Sequence, residues 1–353
     1  MKILFLDFST GLKSLADLET GPRRGLTNSL LHLPDVLSKL NNDVWVVSDM
    51  PAAGKTAAGT KWIHGGSSIP FSHKWDFLIL NRGIGGGYPV VEARHRVLWT
   101  HDLPHNGFAE EPVLLESLSA IVFMSVYAKE VWSTFFPQIE GGYIIPNGVD
   151  KSLFYPREKD LDYLIYASHP IRGLNRIPLI FSGLKESFPG RPLKMKCFSS
   201  VYLGETLKDD HMDKYPILQD QGISPEMEIL PAVPVDQLAK ELGKAGLMIL
   251  PTGYPEICSN TILQSLASGT PIVTTGRLGS AGEWINHNWN GAMTRFQPCD
   301  YVVHQIEICR LARDILRNPA EHRRWIENAV RTPDIFTWQE IGAKWQKMLL
   351  TLS

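Results

Sequence analysis

The feature that most constrains the fold is an alternation of short apolar segments with longer amphipathic ones. Lys2–Phe8 is a short apolar run, and Thr27–Leu40 then places its leucines at helical spacing. Val44–Val47 is rich in β-branched residues, which favours a strand. The same pattern predicts strands at Phe77–Leu80, Val97–Thr100 and Ala120–Met124, and a helix at Val126–Phe136. Short strands separated by helices are typical of βαβ units and a parallel sheet.

The alternation restarts after the polar stretch Lys151–Asp162, which is the best linker candidate in the chain. Strands are predicted at Tyr163–Ala167, Leu193–Phe198, Glu228–Leu230, Leu247–Leu250 and Pro271–Thr274. Helices are predicted at Leu174–Phe188, Val235–Leu242, Asn260–Ser268, Ile306–Arg317, Glu321–Arg331 and Trp338–Leu350. The sequence therefore predicts an α/β protein with two doubly wound, Rossmann-like parallel-sheet domains that face a central cleft.

Length and composition agree with this prediction and exclude several classes of protein. A chain of 353 residues is long enough for two domains or one large one. Lys plus Arg number 35 against 37 Asp plus Glu, which argues against a protein that wraps duplex nucleic acid. No apolar run approaches the roughly 20 residues of a membrane span. The four cysteines lack C-x-x-C spacing, so they indicate a reduced, cytoplasmic chain without a zinc or disulfide framework.

The segment from residue 251 to residue 271 carries the strongest chemical signal. A strand ends at Pro251, a loop with Glu256 follows, and Ser259 or Asn260 then caps a helix that Gly269 ends. Such a loop lies at the carboxyl edge of a parallel sheet, where ligands of open α/β folds bind. Free amides and the dipole at the start of the helix favour a phosphate group. The alternative interpretation is an ordinary capped helix with one solvated glutamate.

This segment resembles a known family. Glu256 is followed after seven residues by Gln264, and then in step by Ala267, Gly269, Pro271, Ile272 and Val273. The pattern is similar to the Glu-x7-Glu helix, followed by Ala-x-Gly-x-Pro-Val, of the retaining family 4 glycosyltransferases with the two-Rossmann (GT-B) architecture. The match departs from the family at Gln264, where the family has a second acid.

Four further landmarks extend the resemblance over nearly the whole chain. They are Arg24-Gly25 before the first helix, the phrase at residues 145–150, the turn at residues 166–174, and Phe336-Thr337-Trp338. The resemblance implies an N-terminal acceptor domain at residues 1–150, completed by residues 335–353 because the last helix crosses back. It implies a nucleotide-sugar donor domain at residues 151–334.

The resemblance also implies a role for Arg172, which would grip the diphosphate of the donor. Arg supplies a planar fork of donors that suits phosphate oxygens. Residues implied to contact the nucleotide or its phosphates are Gly25, Arg172, Gly173, Val233, Ser259, Asn260 and Gln264. The family usually carries a second basic residue five positions before Arg172, but that position here is Ala167.

Glu256 would accept hydrogen bonds from hydroxyl groups of the donor sugar. The backbone amides of the next three residues, Ile257, Cys258 and Ser259, would also face this sugar. His101 resembles the family's histidine near the anomeric centre, although His101 and Asp102 after a strand are also typical of a structural hydrogen-bonding pair. The catalytic residues implied are thus His101, Arg172 and Glu256, and no metal ligand is predicted.

Other motifs receive structural interpretations. Residues 81–87 are glycine-rich but lack the G-x-G-x-x-G fingerprint of dinucleotide binding, so we expect a loop that lines the acceptor cleft. Asp160-Leu161-Asp162 has the D-x-D spelling of metal-dependent transferases, but it precedes its predicted strand and is interpreted as a solvated pair. Trp325, Trp338 and Trp345 are predicted to be core residues.

The function implied is a retaining, metal-independent transfer of a sugar from a UDP- or GDP-linked donor to a hydroxyl of a glycan, lipid or small molecule. No cofactor is expected beyond this co-substrate, and no nucleic acid partner or transmembrane segment. A cytoplasmic location is expected, and a peripheral contact at the cytosolic face of a membrane is compatible with a lipid-linked acceptor. Two alternatives remain: a catalytically weak or silent binding subunit, suggested by Gln264 and Ala167, and a sugar-nucleotide epimerase on the same fold.

Overall fold

The chain folds into two compact units. The structure is a computed structural model that describes residues 1–7, 25–48, 53–65, 73–82, 91–104, 115–137, 139, 141–199, 224–295, 301–332 and 334–353. The first unit consists of Met1–Gly148 together with Phe336–Ser353, and the second is the continuous segment Val149–Ile335. The segment at residues 151–162 therefore lies within the second unit.

Fourteen strands and eight helices are found in the described part of the chain. The strands are β1 Lys2–Leu6, β2 Asp43–Ser48, β3 Gly54–Lys55, β4 Lys61–His64, β5 Trp75–Asn81, β6 Ala93–Trp99, β7 Ala120–Phe123, β8 Tyr143–Ile144, β9 Asp160–Ala167, β10 Lys194–Phe198, β11 Met227–Leu230, β12 Ala245–Leu250, β13 Ile272–Thr274 and β14 Gly291–Met293. The helices are α1 Gly25–Lys39, α2 Val126–Phe135, α3 Ile177–Ser187, α4 Val235–Lys244, α5 Asn260–Ala267, α6 Tyr301–Leu316, α7 Pro319–Val330 and α8 Trp338–Leu352.

The first unit is built on an eight-stranded sheet in the order β3-β4-β2-β1-β5-β6-β7-β8. Its strands are parallel except for the short antiparallel pair of β3 and β4. The C-terminal helix α8 belongs to this unit, and its Trp345 packs edge-on against Trp99 of β6, with ring centroids 5.3 Å apart. A capping box of Thr337 and Glu340 begins α8. The last residues of the chain thus complete the core of the first unit.

The second unit contains a fully parallel six-stranded sheet in the order β11-β10-β9-β12-β13-β14. Successive strands run outward from β9 to β11, and the chain then returns to β12 beside β9 and proceeds to the other edge. The strand order therefore reverses between β9 and β12. A reversal of this kind opens a crevice at the carboxyl ends of the two strands, where ligands bind in open α/β sheets.

The predicted fold class is confirmed, because both units are parallel-sheet α/β domains. The predicted core tryptophans are also confirmed: Trp325, Trp338 and Trp345 are at most 4% exposed. Both cores are built largely from the predicted apolar segments, which supply the buried faces of the strands and helices.

Predicted boundaries in the second unit were wrong at β9, at the turn before α3 and at α6, which begins at Tyr301 and not at Ile306. Strand β9 begins at Asp160, so Asp160 and Asp162 are part of a strand, where they pair with Lys194 and Arg191. Paired charges made this stretch look like a polar linker in the sequence. The predicted helix at Leu174–Phe188 is divided: residues 174–176 form a 3-10 turn, and α3 begins afterwards with Pro178 in its first turn.

Candidate functional site

Arg172 and Glu256 come together at the crevice of the second unit. Arg172 follows β9 and Glu256 follows β12, the two strands at which the order of the sheet reverses. Their side chains form an ion pair with 3.1 Å between Arg172 Nε and Glu256 Oε1, and only 21% and 11% of the two side chains is exposed. The two residues predicted to act on the donor thus share one largely buried location.

A tight turn positions Arg172. The backbone N–H of Ile171 donates to His169 Nδ1, and Gly173 then adopts a left-handed conformation with φ of 98°. A Cβ atom on Gly173 would overlap the carbonyl oxygen of Pro251 at the end of β12. Only glycine fits this close approach, because it has no Cβ atom and tolerates positive φ. The turn therefore rests directly on the neighbouring strand end.

Tyr254 supports the guanidinium group of Arg172 from the β12 loop. The guanidinium carbon lies 3.4 Å from the centroid of the Tyr254 ring, which is the geometry of a cation–π contact. The backbone N–H of Tyr254 donates to Thr252 Oγ1 at 3.0 Å, which fixes the backbone that carries the ring. No sequence pattern identified Tyr254, since its contact depends on a turn eighty residues earlier in the chain.

The loop after β13 holds the backbone of Glu256. Ser280 donates to the carbonyl oxygen of Glu256 twice, from its backbone N–H at 2.7 Å and from its hydroxyl at 2.9 Å. Gly279, with φ of 71°, pairs with Glu256 in an isolated parallel bridge. Burial raises the pKa of Glu256, and the charge of Arg172 opposes this rise. Sequence reasoning missed this loop, for which a glycine after a strand end was the single available signal.

The site contains hydrogen-bond donors suited to an anion. Among the described residues, no hydrogen-bond partner faces Arg172 Nη1, although this atom is buried. The helix α5 begins nearby in sequence with Ser259 as its N-cap, and the Ser259 side chain makes no capping hydrogen bond. The first amides of a helix lack partners within that helix. A buried guanidinium nitrogen on the loop after β9 and a helix N-terminus after the loop of the adjacent strand β12 are a combination that binds phosphate oxygens.

The other residues predicted to contact the donor lie mostly around this loop. Ile257 and Ser259 are buried, while Cys258, Asn260 and Gln264 are half-buried. Val233 follows β11 at the same carboxyl edge and is half-buried. Gly25 begins α1 in the first unit, and Arg24 lies outside the described residues. Ala167 is the last residue of β9 and is buried, so this position supplies no second cation.

His101 lies in the first unit, directly after Thr100, which follows β6. Its ring packs against Trp99 with centroids 4.4 Å apart, and its buried Nε2 has no hydrogen-bond partner in the described part of the chain. Burial, together with the charge of Arg82, lowers the pKa of His101 to about 3, so the ring is neutral at physiological pH. Asp102 pairs with Arg82 at 2.7 Å, which sequence reasoning missed. Glycines 83–87, predicted to line a cleft, lie outside the described residues.

The described residues hold no cluster suited to a metal ion, no disulfide and no membrane-spanning helix. Within these ranges, no group of three or more His, Cys, Asp or Glu side chains is arranged to hold a metal ion. Cys197, Cys258 and Cys309 are free thiols, and Cys299 is outside the described part. No described helix is both long and apolar enough to cross a bilayer.

Comparison with known sequences finds a family match within the second unit. Residues 152–314 match the model of the family described as Glycosyl transferases group 1. A curated relative, the MMP alpha-(1->4)-mannosyltransferase of Mycolicibacterium hassiacum, is 26% identical over 227 residues, which cover 62% of this chain. The match spans 51% of that relative, about half of its length.

Comparison with solved structures identifies the fold of the whole chain. Sucrose-phosphate synthase from Thermosynechococcus elongatus aligns with a TM-score of 0.77 at 14% identity, covering 100% of this chain and 99% of that one. Anabaena HepE in complex with UDP and glucose aligns with a TM-score of 0.72 at 15% identity, covering 99% and 100%. The GT-B fold predicted from the sequence is confirmed, and the family match is confined to residues 152–314.

Proposed function

We propose that this protein is a glycosyltransferase, because residues 152–314 match the model of the family Glycosyl transferases group 1 and the chain has the GT-B fold. It moves a sugar from a nucleotide-diphosphate donor to a hydroxyl group of a glycan, lipid or small-molecule acceptor. The single observation that supports this proposal most is the buried Nη1 of Arg172, which has no partner in the described chain and lies beside Glu256. A buried cationic donor of this kind is costly unless an anion satisfies it.

The second unit binds the donor in this proposal. Arg172 and the first amides of α5 hold the diphosphate, and Glu256 accepts hydrogen bonds from sugar hydroxyls. Gly173, Val233, Asn260 and Gln264 contribute to the nucleotide site, with Ile257, Cys258 and Ser259 along the sugar. UDP and GDP are both candidate nucleotides: HepE was solved with UDP and glucose, and the curated relative is named a mannosyltransferase.

The reaction proceeds with retention of anomeric configuration. The bond between the anomeric carbon and the diphosphate oxygen breaks, and the acceptor oxygen forms the new bond on the same face. The departing diphosphate takes the proton of the acceptor hydroxyl, so no protein base is needed. Arg172 and the α5 amides stabilise the charge that develops on the leaving oxygen. Neutral His101 offers a hydrogen bond near the sugar rather than a positive charge, and no metal takes part.

Kinetics of two variants test the proposal. We expect Arg172→Ala and Glu256→Ala each to lower kcat/KM for the nucleotide sugar by about a hundredfold or more, since each removes a charged group from the leaving-group or sugar site. Arg172→Lys is the matched control, because it retains the charge but not the fork, and should lose less. Wild-type rates in both alanine variants would remove the assignment. Product analysis by NMR determines the anomeric configuration.

A binding subunit without catalysis is the second candidate, and one observation favours it. Ala167 at the end of β9 carries no charge, and neither does Gln264. Titration calorimetry with UDP, GDP and their sugars, combined with a turnover assay, distinguishes the enzyme from the binding subunit. Binding with turnover supports the enzyme, binding without turnover supports the subunit, and absence of binding contradicts both.

A further inference from the structure

A buried hydrogen-bonded chain connects the loops that carry the candidate site. Arg176, His304 and Thr275 are at most 9% exposed. Arg176 Nη1 lies 2.8 Å from His304 Nδ1, and His304 Nε2 lies 2.8 Å from Thr275 Oγ1. Thr275 Oγ1 donates to the carbonyl oxygen of Thr252 at 2.6 Å. The chain therefore runs from the turn after β9, through helix α6, to the ends of β13 and β12.

The chemistry of this hydrogen-bonded chain allows one arrangement of its hydrogen atoms. A guanidinium group can only donate, so His304 Nδ1 must accept from Arg176. His304 Nε2 then carries the hydrogen and donates to Thr275, whose own hydroxyl hydrogen goes to Thr252. The hydrogens of His304 and Thr275 are then each used once, and the imidazole is neutral. Burial and the nearby charge of Arg176 lower the pKa of His304 to about 4, against an opposing contribution from Glu307, so the neutral form persists at pH 7.

The two ends of this hydrogen-bonded chain, Arg176 and Thr252, lie next to residues proposed to bind the donor. Arg176 is four residues after Arg172, at the end of the two tight turns that follow β9. Thr252 holds the backbone of Tyr254, whose ring supports Arg172. Thr275 precedes the loop in which Ser280 and Gly279 fix the backbone of Glu256. One continuous chain thus joins all three loops.

We propose that Arg176, His304 and Thr275 are positioning residues that hold the three loops of the donor site in the geometry in which Arg172 meets Glu256. This inference rests on the proposed function for its substrate, but the geometry it describes exists without a ligand. The three residues touch neither the diphosphate nor the sugar. They act through the turn of Arg172 and the backbone of Thr252.

Two threonine variants test the proposal with little change in volume. Thr275→Val removes the hydroxyl and so interrupts the chain between His304 and Thr252, whereas Thr275→Ser retains the hydroxyl. The first readout needs no nucleotide: the rate at which iodoacetamide alkylates Cys258, measured by peptide mass spectrometry at a temperature where both variants are folded. Cys258 is two residues after Glu256 and reports the order of this loop. We expect alkylation about tenfold faster in Thr275→Val and unchanged in Thr275→Ser.

The second readout is binding of UDP and GDP by titration calorimetry. We expect Thr275→Val to lower the affinity for whichever nucleotide the wild type binds by about tenfold, since small displacements of binding groups are costly. His304→Gln should bind like the wild type, because its amide can accept from Arg176 and donate to Thr275, while His304→Leu should resemble Thr275→Val. Equal Cys258 rates in Thr275→Val and Thr275→Ser would overturn the positioning role. If the wild type bound neither nucleotide, the proposed function would fail, and the Cys258 comparison would still decide this inference.

Discussion

Arg172 is restrained on several sides, while its buried Nη1 has no hydrogen-bond partner among the described residues. Its Nε bonds Glu256, its plane rests on Tyr254, and its backbone turn rests on Pro251. A long side chain normally loses considerable entropy when a ligand immobilises it. Here most of that freedom is already lost in the folded chain, so the cost of ordering Arg172 does not reduce the binding of an anion.

The close approach of Gly173 to Pro251 predicts a large effect of a single methyl group. Gly173→Ala adds a Cβ atom where the Pro251 carbonyl lies, and it also strains a residue at φ of 98°. We expect a loss of about 3 kcal/mol in the free energy of unfolding, measured in urea. Gly190→Ala is the matched control, because Gly190 has φ of 81° but no atom within 4 Å of its added Cβ. Gly190→Ala should lose only the free energy of unfolding that corresponds to backbone strain, about 1 kcal/mol. Equal losses in the two variants would exclude the steric explanation.

The stacking of Arg172 on Tyr254 predicts that nucleotide affinity depends on the aromatic ring of Tyr254 and not on its hydroxyl group. Tyr254→Phe retains the aromatic face, so nucleotide affinity should stay within about twofold of the wild type. Tyr254→Ala removes a contact typically worth about 1 kcal/mol and frees the guanidinium group, so affinity should fall by about tenfold. Titration calorimetry measures both variants. A large loss in Tyr254→Phe would assign the contribution to the hydroxyl instead.

Residues whose partners are distant in sequence escaped sequence reasoning. Arg172 and Glu256 were named as candidate site residues because each lies in a motif that resembles a family pattern, and their roles stay a prediction. His304 and Thr275 could not be predicted, since their partners lie 128 and 23 residues away and no periodicity relates them. Tyr254 also gave no signal, because a ring below a guanidinium group requires no particular neighbours in the sequence.

Among the secondary-structure elements, helix α7 is attached to the sheet by a histidine. His322 on α7 is fully buried, and its Nε2 lies 2.7 Å from the carbonyl oxygen of Gly246 in β12. Burial lowers the pKa of His322 from 6.5 to about 4. The unfolded chain therefore binds a proton at a higher pH than the folded chain, so this attachment contributes fully above pH 6.5 and is lost as the pH falls towards 4.

This titration predicts that acid destabilises the second unit. The free energy of unfolding should fall by about 2 kcal/mol between pH 7.5 and pH 5 on account of His322 alone. His322→Gln retains a donor for Gly246 without a titrating group, so its unfolding free energy should show a smaller pH dependence over the same range. Urea unfolding at the two pH values measures the difference. If the unfolding free energy of His322→Gln depended on pH as strongly as that of the wild type, His322 would not be the cause of the acid destabilisation.

Element types were predictable where the apolar pattern was strong, and boundaries were not where charges were paired. The strands of both sheets follow runs of apolar or β-branched residues, which is why the order of strand and helix could be predicted. The start of β9 was missed because Asp160 and Asp162 find cations on or beside the neighbouring strand, a pairing visible only once the sheet is formed.

For the whole molecule, the discontinuity of the first unit predicts what truncation does. Trp338, Ile341 and Trp345 of α8 are at most 2% exposed in the core of that unit. A chain that ends at residue 335 should therefore lose amide protection from hydrogen exchange in β6 while β12 keeps its protection. Removal of the exposed residues 351 and 353 with the half-buried Leu352 is the control and should leave both strands protected. Loss of protection in β12 of the longer truncation would show that the second unit depends on α8.

The same discontinuity has a consequence during protein synthesis. The ribosome releases β1 to β8 first, then the whole of Val149–Ile335, and only at the end the helix that covers the tryptophan of β6. At about 5–20 residues per second, the early strands wait on the order of ten seconds or more for their final layer. The second unit, made without interruption, can fold during this interval. The nascent chain thus exposes the apolar face of its first-made half for longest, which makes that half the segment for chaperones to protect.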